Sequence, residues 1–196
     1  DVPTSALDAY RDIADDTRRS YAAAVTTMDT AIGGIVAALE QRKMLDDTLV
    51  VFHSDNGGAI PTRFDTGDGD VRAPAADNGS FREGKGSLYE GGVRVAALAH
   101  WPGRIPPKTV VTDVLHVTDL TATLLRLAGA QPDAARRPDG VDVWPVLAER
   151  QRTSRTELLL NVEDFHGAIR VGEWKLVVHA ALPARIELFD IANDPQ

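Results

Sequence analysis

Residues 48–58 read TLVVFHSDNGG, and no other segment of the sequence indicates the fold as clearly. The first six residues of this stretch form an almost unbroken apolar run rich in β-branched side chains, which is typical of a strand buried on both faces of a sheet. The polar residues and glycines that follow end the strand at once. A helical pattern precedes it at Asp16–Lys43, and the order helix, short loop, buried strand predicts an α/β sheet.

The helix predicted at Asp16–Lys43 carries one apolar stripe, because its apolar residues recur at steps of three and four. They are Tyr21, Val25, Met28, Ile32, Ile35 and Leu39. Gly33 and Gly34 interrupt the helix at a cost of about 1 kcal/mol each relative to alanine, so we expect close backbone packing there. Further along, Val93–Ala99 predicts a second buried strand.

A short helix is predicted at Leu120–Ala128, with Thr118 or Asp119 as its N-cap. Towards the end of the chain the pattern changes to four short apolar runs separated by turns, which predicts a small antiparallel sheet. We therefore expect an α/β fold, with a sheet and flanking helices in residues 1–150 and a small antiparallel β subdomain in residues 151–196.

The candidate chemistry begins directly after the first strand. In open α/β sheets, ligands bind beyond the carboxyl ends of the strands, and there this chain places Asp55 and Asn56. Their carboxylate and amide oxygens suit Ca²⁺ or Mg²⁺ better than zinc. The alternative is a tight Asn-Gly turn in which Asp55 accepts hydrogen bonds from the local backbone.

A second glycine-rich segment, FREGKGSLYEGGVR at residues 81–94, holds Lys85 between two glycines. A lysine on such a loop can neutralise a tetrahedral oxyanion. The alternative is an ordinary solvated lysine at the surface. Glu90 and Arg94 lie four residues apart, and we interpret them as structural partners rather than as catalysts.

The histidines predict no zinc site, because no pair has a ligand spacing on one helix face. His166, which lies between Phe and Gly, is the best candidate among them for a substrate contact, whereas His53 is interpreted as a core residue of its strand. Asp65, Asp68 and Asp70 resemble the start of a calcium loop, but no glutamate follows where such a loop would close.

The composition excludes several functions. Lys plus Arg number 21 and Asp plus Glu number 29, a net charge of −8, which disfavours nucleic acid and anionic membrane surfaces as partners because both select basic faces. No apolar run approaches the roughly 20 residues of a membrane span. The first residues do not resemble a signal peptide, and the compartment is left undetermined. Cysteine is absent, which excludes disulfides and thiolate chemistry.

Taken together, these segments resemble the sulfatase family, within the alkaline-phosphatase-like superfamily. The resemblance covers nearly the whole chain, in order. The segments that carry it are YAAAVTTMDTAIG at 21–33, DTLVVFHSDNGG at 47–58, GKGSLYEGGVRV at 84–95 with WPG at 101–103, TDLTATLLRLAG at 118–129 with DGV at 139–141, RVGEWKL at 170–176 and ELFD at 187–190.

The resemblance implies a partial sulfatase-like sheet and the hydrolysis of sulfate esters of small molecules or glycans. The family's nucleophile is a formylglycine, made from the Cys or Ser of a C/S-x-P-x-R motif. The resemblance further implies that Asp55 and Asn56 bind Ca²⁺ and that Lys85 contacts the sulfate.

The chain departs from the family at the nucleophile. None of its 11 prolines has a Cys or Ser two residues earlier, and an early pair of metal carboxylates has no counterpart either. We therefore expect the C-terminal half of a sulfatase, whose exposed apolar surface is covered by a missing N-terminal half or by self-association. The alternatives are a stand-alone esterase or binding module on a truncated scaffold, and a phosphomonoester or phosphonate hydrolase of the same superfamily.

Overall fold

The computed structural model of the chain describes residues 2–60, 75–130, 135, 138–180 and 182–196. Helices come first along the described chain, and four consecutive strands end it. In order, the elements are α1 (Thr4–Asp8), α2 (Asp16–Gln41), β1 (Val50–His53), α3 (Glu90–Val93), β2 (Ala97–His100), α4 (Val117–Leu127), α5 (Trp144–Glu149), β3 (Glu157–Glu163), β4 (His166–Val171), β5 (Trp174–His179) and β6 (Arg185–Asp190). The aspartates at 65, 68 and 70 lie outside the described residues.

Helix α2 confirms the long helix that the apolar stripe predicts. Asp15 is its N-cap, and the Asp15 carboxylate accepts a hydrogen bond from the Arg18 amide at 2.6 Å. Among the described residues of this helix only Ala23 is buried, and the stripe itself faces outward, with Ile35 62% exposed. A Cβ at Gly33 or at Gly34 would have no neighbour within 4 Å, so the described part of the chain does not pack closely against the glycine pair.

Helix α2 bears on the expectation that no apolar run approaches the roughly 20 residues of a membrane span. It has 26 residues, and its most apolar 18-residue window has a mean hydropathy of 1.5. By length and composition alone it could cross a membrane, although core helices of globular proteins pass the same test. Threonines and Asp29 interrupt the apolar run, as expected, but the average hydropathy of the helix stays high enough to pass this test.

Strands β1 and β2 pair antiparallel, with Phe52 opposite Leu98. The prediction that β1 is buried on both faces is wrong for this chain, because the described residues cover little of either face. Val51 is 37% exposed and Leu98 69% exposed. His53 is exposed as well, and its Nδ1 lies 3.0 Å from the Ser54 carbonyl oxygen, so it is not a core histidine.

The second strand begins later than predicted. Of the predicted strand, Val93 ends helix α3, in which Gly91 and Gly92 approach neighbouring backbone closely, and residues 94–96 belong to neither element. Strand β2 then starts at Ala97 and ends at His100, one residue beyond the predicted end.

Helix α4 starts before the residues that the sequence suggested as caps. His116 is the N-cap, and its backbone amide donates to the Asp119 carboxylate at 2.8 Å, which completes a capping box. Asp119 is fully buried and pairs with Arg155, in the segment that leads to β3. This pair ties the start of α4 to the C-terminal sheet.

Strands β3 to β6 form a four-stranded antiparallel sheet in chain order, as predicted. One face of this sheet packs against the segment that carries Lys85. The buried apolar cluster between them consists of Leu88, Tyr89, Ala168, Val177, Phe189 and Ile191, with Leu160 at its edge. The boundary predicted at residue 150 lies between α5 and β3; the division into two domains stays a prediction.

Candidate functional site

Asp55 and Asn56 lie in the turn that follows β1. The turn is fixed at its start, where the Ser54 amide donates to the Ala96 carbonyl at 3.1 Å and the Ser54 hydroxyl donates to the Asn56 carbonyl at 2.8 Å. The Asn56 amide donates to Asp55 Oδ1 at 3.0 Å. This is the tight turn that was the alternative to a metal site.

The turn nevertheless leaves oxygen atoms available. The side-chain NH₂ of Asn56 donates to the Gly57 carbonyl at 2.8 Å, and its Oδ1 accepts no hydrogen bond from the residues that the structure describes. Asp55 is exposed and uses one carboxylate oxygen in the turn. The tight turn and the metal site are therefore compatible, because the turn orders the two side chains and leaves an oxygen on each.

Lys85 lies beside this turn. Its backbone amide donates to the Gly58 carbonyl at 3.1 Å, and its side chain is exposed. Among the described residues its ammonium group has no ion-pair partner. The structure thus brings the lysine segment and the Asp55 turn together, although 29 positions separate Lys85 from Asn56 in the sequence.

Glycines make this contact close. The Gly57 amide donates to the Gly92 carbonyl at 2.9 Å, and a Cβ at Gly57 would lie 1.7 Å from the Gly91 carbonyl oxygen. No side chain fits in that space. The glycines of both segments therefore let two backbones meet, and each segment fixes the position of the other.

Asn78 is a residue that sequence reasoning missed. Its Oδ1 accepts from the Gly58 amide at 2.9 Å, and its Nδ2 donates to the carbonyls of Gly58 and Glu83, at 3.1 and 2.8 Å. One side chain thus pairs with both segments of the site. The only signal in the sequence was an Asn-Gly pair at 78–79, which by itself predicts only a turn.

A cluster of polar side chains joins the lysine segment to β5 and β6. The Tyr89 hydroxyl donates to Glu187 and lies 3.2 Å from His179 Nε2, while Arg82 pairs with Glu187 at 3.1 Å. Burial, followed by the hydrogen bond to Glu187, raises the pKa of Tyr89 to about 12. That hydrogen bond also keeps the pKa of Glu187 below its usual value.

His166, the predicted substrate contact, is the first residue of β4. Its ring meets the ring of His179 edge-on, with centroids 4.8 Å apart. Burial, and then the proximity of His166, lower the pKa of His179, which favours the neutral imidazole. An open depression of about 670 Å³ lies beside His166, but most of its lining is apolar, as at Leu159, Ile169 and Leu176.

A metal site in this chain would have few ligands. Within the described ranges, no group of three or more His, Cys, Asp or Glu side chains could hold a metal ion. Asp55 and Asn56 are hard oxygen donors, which fits Ca²⁺ in kind but supplies only part of its coordination shell. Further ligands would have to come from outside this group of residues.

Two family profiles match the chain. The profile described as "Sulfatase" matches residues 2–130. The profile described as "N-sulphoglucosamine sulphohydrolase, C-terminal" matches residues 80–196. The first match includes helix α2 and the Asp55 turn, and both matches include Lys85.

Curated relatives agree with the profiles. Arylsulfatase J of Mus musculus is 31% identical over 173 residues, which cover 88% of this chain and 27% of the relative. N-acetylgalactosamine-6-sulfatase of Sus scrofa is 39% identical over 140 residues, which cover 70% of this chain and 25% of the relative. The chain spans about a quarter of the length of these relatives.

Solved structures show the same fold. The crystal structure of Ps i-CgsB superposes with a TM-score of 0.84 at 28% identity and covers 98% of this chain, which in turn covers 40% of that one. The PsFucS1 sulfatase from Pseudoalteromonas sp. superposes with a TM-score of 0.64 at 32% identity, covering 88% of this chain and 34% of that one. In sequence and in structure, the chain belongs to the sulfatase family.

Proposed function

We propose that this chain supplies Asp55, Asn56 and Lys85 to the active site of a sulfuric ester hydrolase of sulfatase length. The observation that supports the proposal most is the hydrogen bond from the Lys85 amide to the Gly58 carbonyl. Because of this bond, a cation and two oxygen donors from distant segments lie in one cluster of loops.

Lys85 would neutralise charge on the sulfate oxygens. An ammonium group without another ion-pair partner is available to a ligand, and a positioned cation stabilises a transition state that gains negative charge. The exposed position of Lys85 on a glycine-flanked loop leaves room for a sulfate group.

Asp55 and Asn56 would hold a calcium ion. When bound, Ca²⁺ would supply positive charge that orients the sulfate and offsets its negative charge. Calcium takes about 6–8 oxygen ligands, so the remaining ligands would come from other parts of a sulfatase-length protein.

The nucleophile is a second element that we assign to the rest of that protein. These 196 residues contain no Cys, and no Ser stands two residues before a proline. We therefore expect no sulfatase activity from the 196 residues alone. Loss of the nucleophile costs about 10⁶ in turnover in a well-studied acyl-transfer enzyme.

We propose a sulfated sugar as the substrate class. The name of one relative, N-acetylgalactosamine-6-sulfatase, supports this choice, as does the name of one matching family profile, N-sulphoglucosamine sulphohydrolase, C-terminal. Ps i-CgsB was also crystallised in complex with k-i-k-neocarrahexaose. Steryl-sulfatase of Mus musculus is also similar to the chain, with 36% identity over 142 residues. A sterol sulfate is therefore the substrate against which sulfated sugars should be compared.

The test is to express the sulfatase-length protein and assay sulfate and phosphate monoesters side by side. We expect hydrolysis of sulfated sugars, and Lys85→Ala should lower kcat by about 10²- to 10³-fold with the fold intact. Lys43→Ala is the matched control. Lys43 is also exposed, but it lies just after α2, away in sequence from both segments of the candidate site. Turnover of phosphate esters in preference to sulfate esters would contradict the proposal and favour a phosphohydrolase.

The stand-alone esterase finds little support in the described residues. The Ser54 hydroxyl donates a hydrogen bond to the Asn56 carbonyl. The Ser87 hydroxyl is buried and has no hydrogen-bond partner among the described residues. A serine nucleophile needs an adjacent base. Carboxylester hydrolysis by the isolated chain, unchanged in Lys85→Ala, would nevertheless favour that alternative.

A further inference from the structure

Glu90 and Lys175 form an ion pair inside the molecule. The Lys175 Nζ lies 2.8 Å from Glu90 Oε1, and the side chains are 1% and 4% exposed. Burial lowers the pKa of Lys175, although Glu90 opposes the shift. A buried ion pair seldom stabilises a fold more than apolar side chains of the same size would, so its value often lies in fixing one arrangement.

Two more cations surround the same carboxylate. Arg170 lies 3.5 Å and Arg94 3.8 Å from Glu90 Oε2, so both oxygens of Glu90 have partners. Lys175 and Arg170 come from neighbouring strands of the C-terminal sheet, where they stand opposite each other in the register of β4 and β5. Glu90 is therefore held by the sheet as much as by its own segment.

The position of Glu90 in its segment links it to the candidate site. The next residue, Gly91, donates its amide to the Arg82 carbonyl at 2.9 Å, which closes the loop around Lys85. Gly92 accepts the hydrogen bond of the Gly57 amide. Glu90 thus stands two residues from the contact with the Asp55 turn and five residues from Lys85.

We propose that Glu90 is a positioning residue, held by Lys175 and Arg170, that sets the placement of the Lys85 loop and the Asp55 turn relative to each other. It touches neither the substrate nor the metal. The consequence for catalysis rests on the proposed function, whereas the consequence for loop order does not. The adjacent Tyr89–Glu187 hydrogen bond is a second connection, which keeps the segment attached when the ion pair is removed.

Hydrogen exchange on the 196-residue chain tests the placement directly. The reporters are the amides of Gly57 and Lys85, whose hydrogen bonds join the two segments. In Glu90→Gln we expect both amides to exchange at least about 10-fold faster, while amides of β5 stay protected. Asp119→Asn is the matched control, because it neutralises an equally buried carboxylate whose partner, Arg155, lies outside both segments.

The outcomes separate clearly. Rates at Gly57 and Lys85 are compared with those of the β5 amides in the same variant, which removes any change in global stability. On that scale, exchange within about twofold of wild type in Glu90→Gln would overturn the proposal, as would equal acceleration in Asp119→Asn. If Glu90→Gln fails to fold, the double variant Glu90→Met/Lys175→Met decides in the same way, since an apolar pair can replace a buried ion pair without loss of stability.

Kinetics of the sulfatase-length protein test the consequence. We expect Glu90→Gln to lower kcat/KM by about 10²-fold per folded molecule, because a displacement of about 1 Å is that costly. Lys175→Arg, which keeps the positive charge beside Glu90, should retain most of the wild-type kcat/KM. Asp119→Asn should retain the wild-type kcat/KM per folded molecule. A wild-type protein without sulfatase activity would refute the proposed function and leave the exchange experiment to decide the inference. An active Glu90→Gln at the wild-type rate would refute the inference alone.

Discussion

Gly57 shows how little room separates the two halves of the candidate site. A Cβ at this position would lie 1.7 Å from the Gly91 carbonyl oxygen, whereas one at Gly33 in α2 would meet nothing within 4 Å. We expect Gly57→Ala to lower the free energy of unfolding by more than about 3 kcal/mol. Gly33→Ala should raise it by up to about 1 kcal/mol. Urea titration of the two variants measures both changes.

The pair is its own control, because both variants add one methyl group to a glycine. Equal effects of the two substitutions on the unfolding midpoint would contradict the close contact between the Asp55 turn and Gly91.

Calcium binding is the second prediction at this scale. Two oxygen donors and water bind Ca²⁺ weakly, so titration calorimetry of the 196-residue chain should show a dissociation constant no tighter than about 1 mM. In the sulfatase-length protein the affinity should be much higher and should fall in Asp55→Ala. Tight stoichiometric binding by the 196-residue chain would show that it holds further ligands.

The residues with chemistry of their own could be predicted from the sequence, and the residues that hold them could not. Asp55, Asn56 and Lys85 stand in short motifs whose composition indicates their surroundings, and the structure places them together; their roles stay predictions. The pair of Glu90 with Lys175 spans 85 positions. No local pattern reports such a contact, so it emerges only from the packing of the sheet.

At the scale of elements, predictions succeeded where periodicity is strong and failed where it is interrupted. Helix α2 begins at its predicted first residue and ends two residues before its predicted last one, and the four strands predicted for the C-terminal sheet are present. The start of α4 was wrong because His116 acts as an unusual N-cap. The start of β2 was wrong because Val93 belongs to helix α3 and the strand forms only where residues 97–100 pair with β1, which a pattern of apolar residues does not encode.

The ion pair between Asp119 of α4 and Arg155, before β3, predicts that the folded state loses stability in acid. Burial alone would raise the pKa of Asp119, but hydrogen bonds from Arg155 and from two backbone amides hold it below its usual 3.8. The ionised form therefore stabilises the folded state above about pH 4, and this contribution is lost as the pH falls below 3.8 and through the folded-state pKa.

The variant Asp119→Asn tests whether the ionised Asp119 carboxylate stabilises the folded state. The variant should be less stable than wild type by about 3 kcal/mol at pH 7, and the difference should shrink as the pH falls below 4. Thermal unfolding of both proteins between pH 2.5 and 7 measures this difference in stability. A difference that stays constant, or grows towards low pH, would contradict the assignment.

For the whole molecule, exposed apolar surface is the dominant feature. Besides Ile35 on α2, the outer face of the C-terminal sheet exposes Leu159 (67%), Ile186 (73%) and Leu188 (62%). Surfaces of this kind mark contacts with other protein. We expect the 196-residue chain to self-associate unless the rest of a sulfatase-length protein covers them.

Sedimentation equilibrium measures this directly. The average mass should exceed 21.1 kDa at high concentration, and Ile35→Lys with Leu188→Lys should reduce it. Val110→Lys is the control, because Val110 is 85% exposed but lies on neither α2 nor the sheet. A clean monomer at every concentration would refute the expectation.

The long separation between the Lys85 loop and its partners also has a consequence for biosynthesis. The ribosome delivers the loop first, while Glu187, the partner of Arg82, follows 105 residues later. At roughly 5–20 residues per second, that interval is about 5–20 s. The C-terminal strands pair only with their neighbours and can close within microseconds once they emerge. The Lys85 loop can therefore meet the Asp55 turn and Asn78 as soon as it emerges, whereas its contacts with the C-terminal sheet form only after the strands of that sheet have been synthesised.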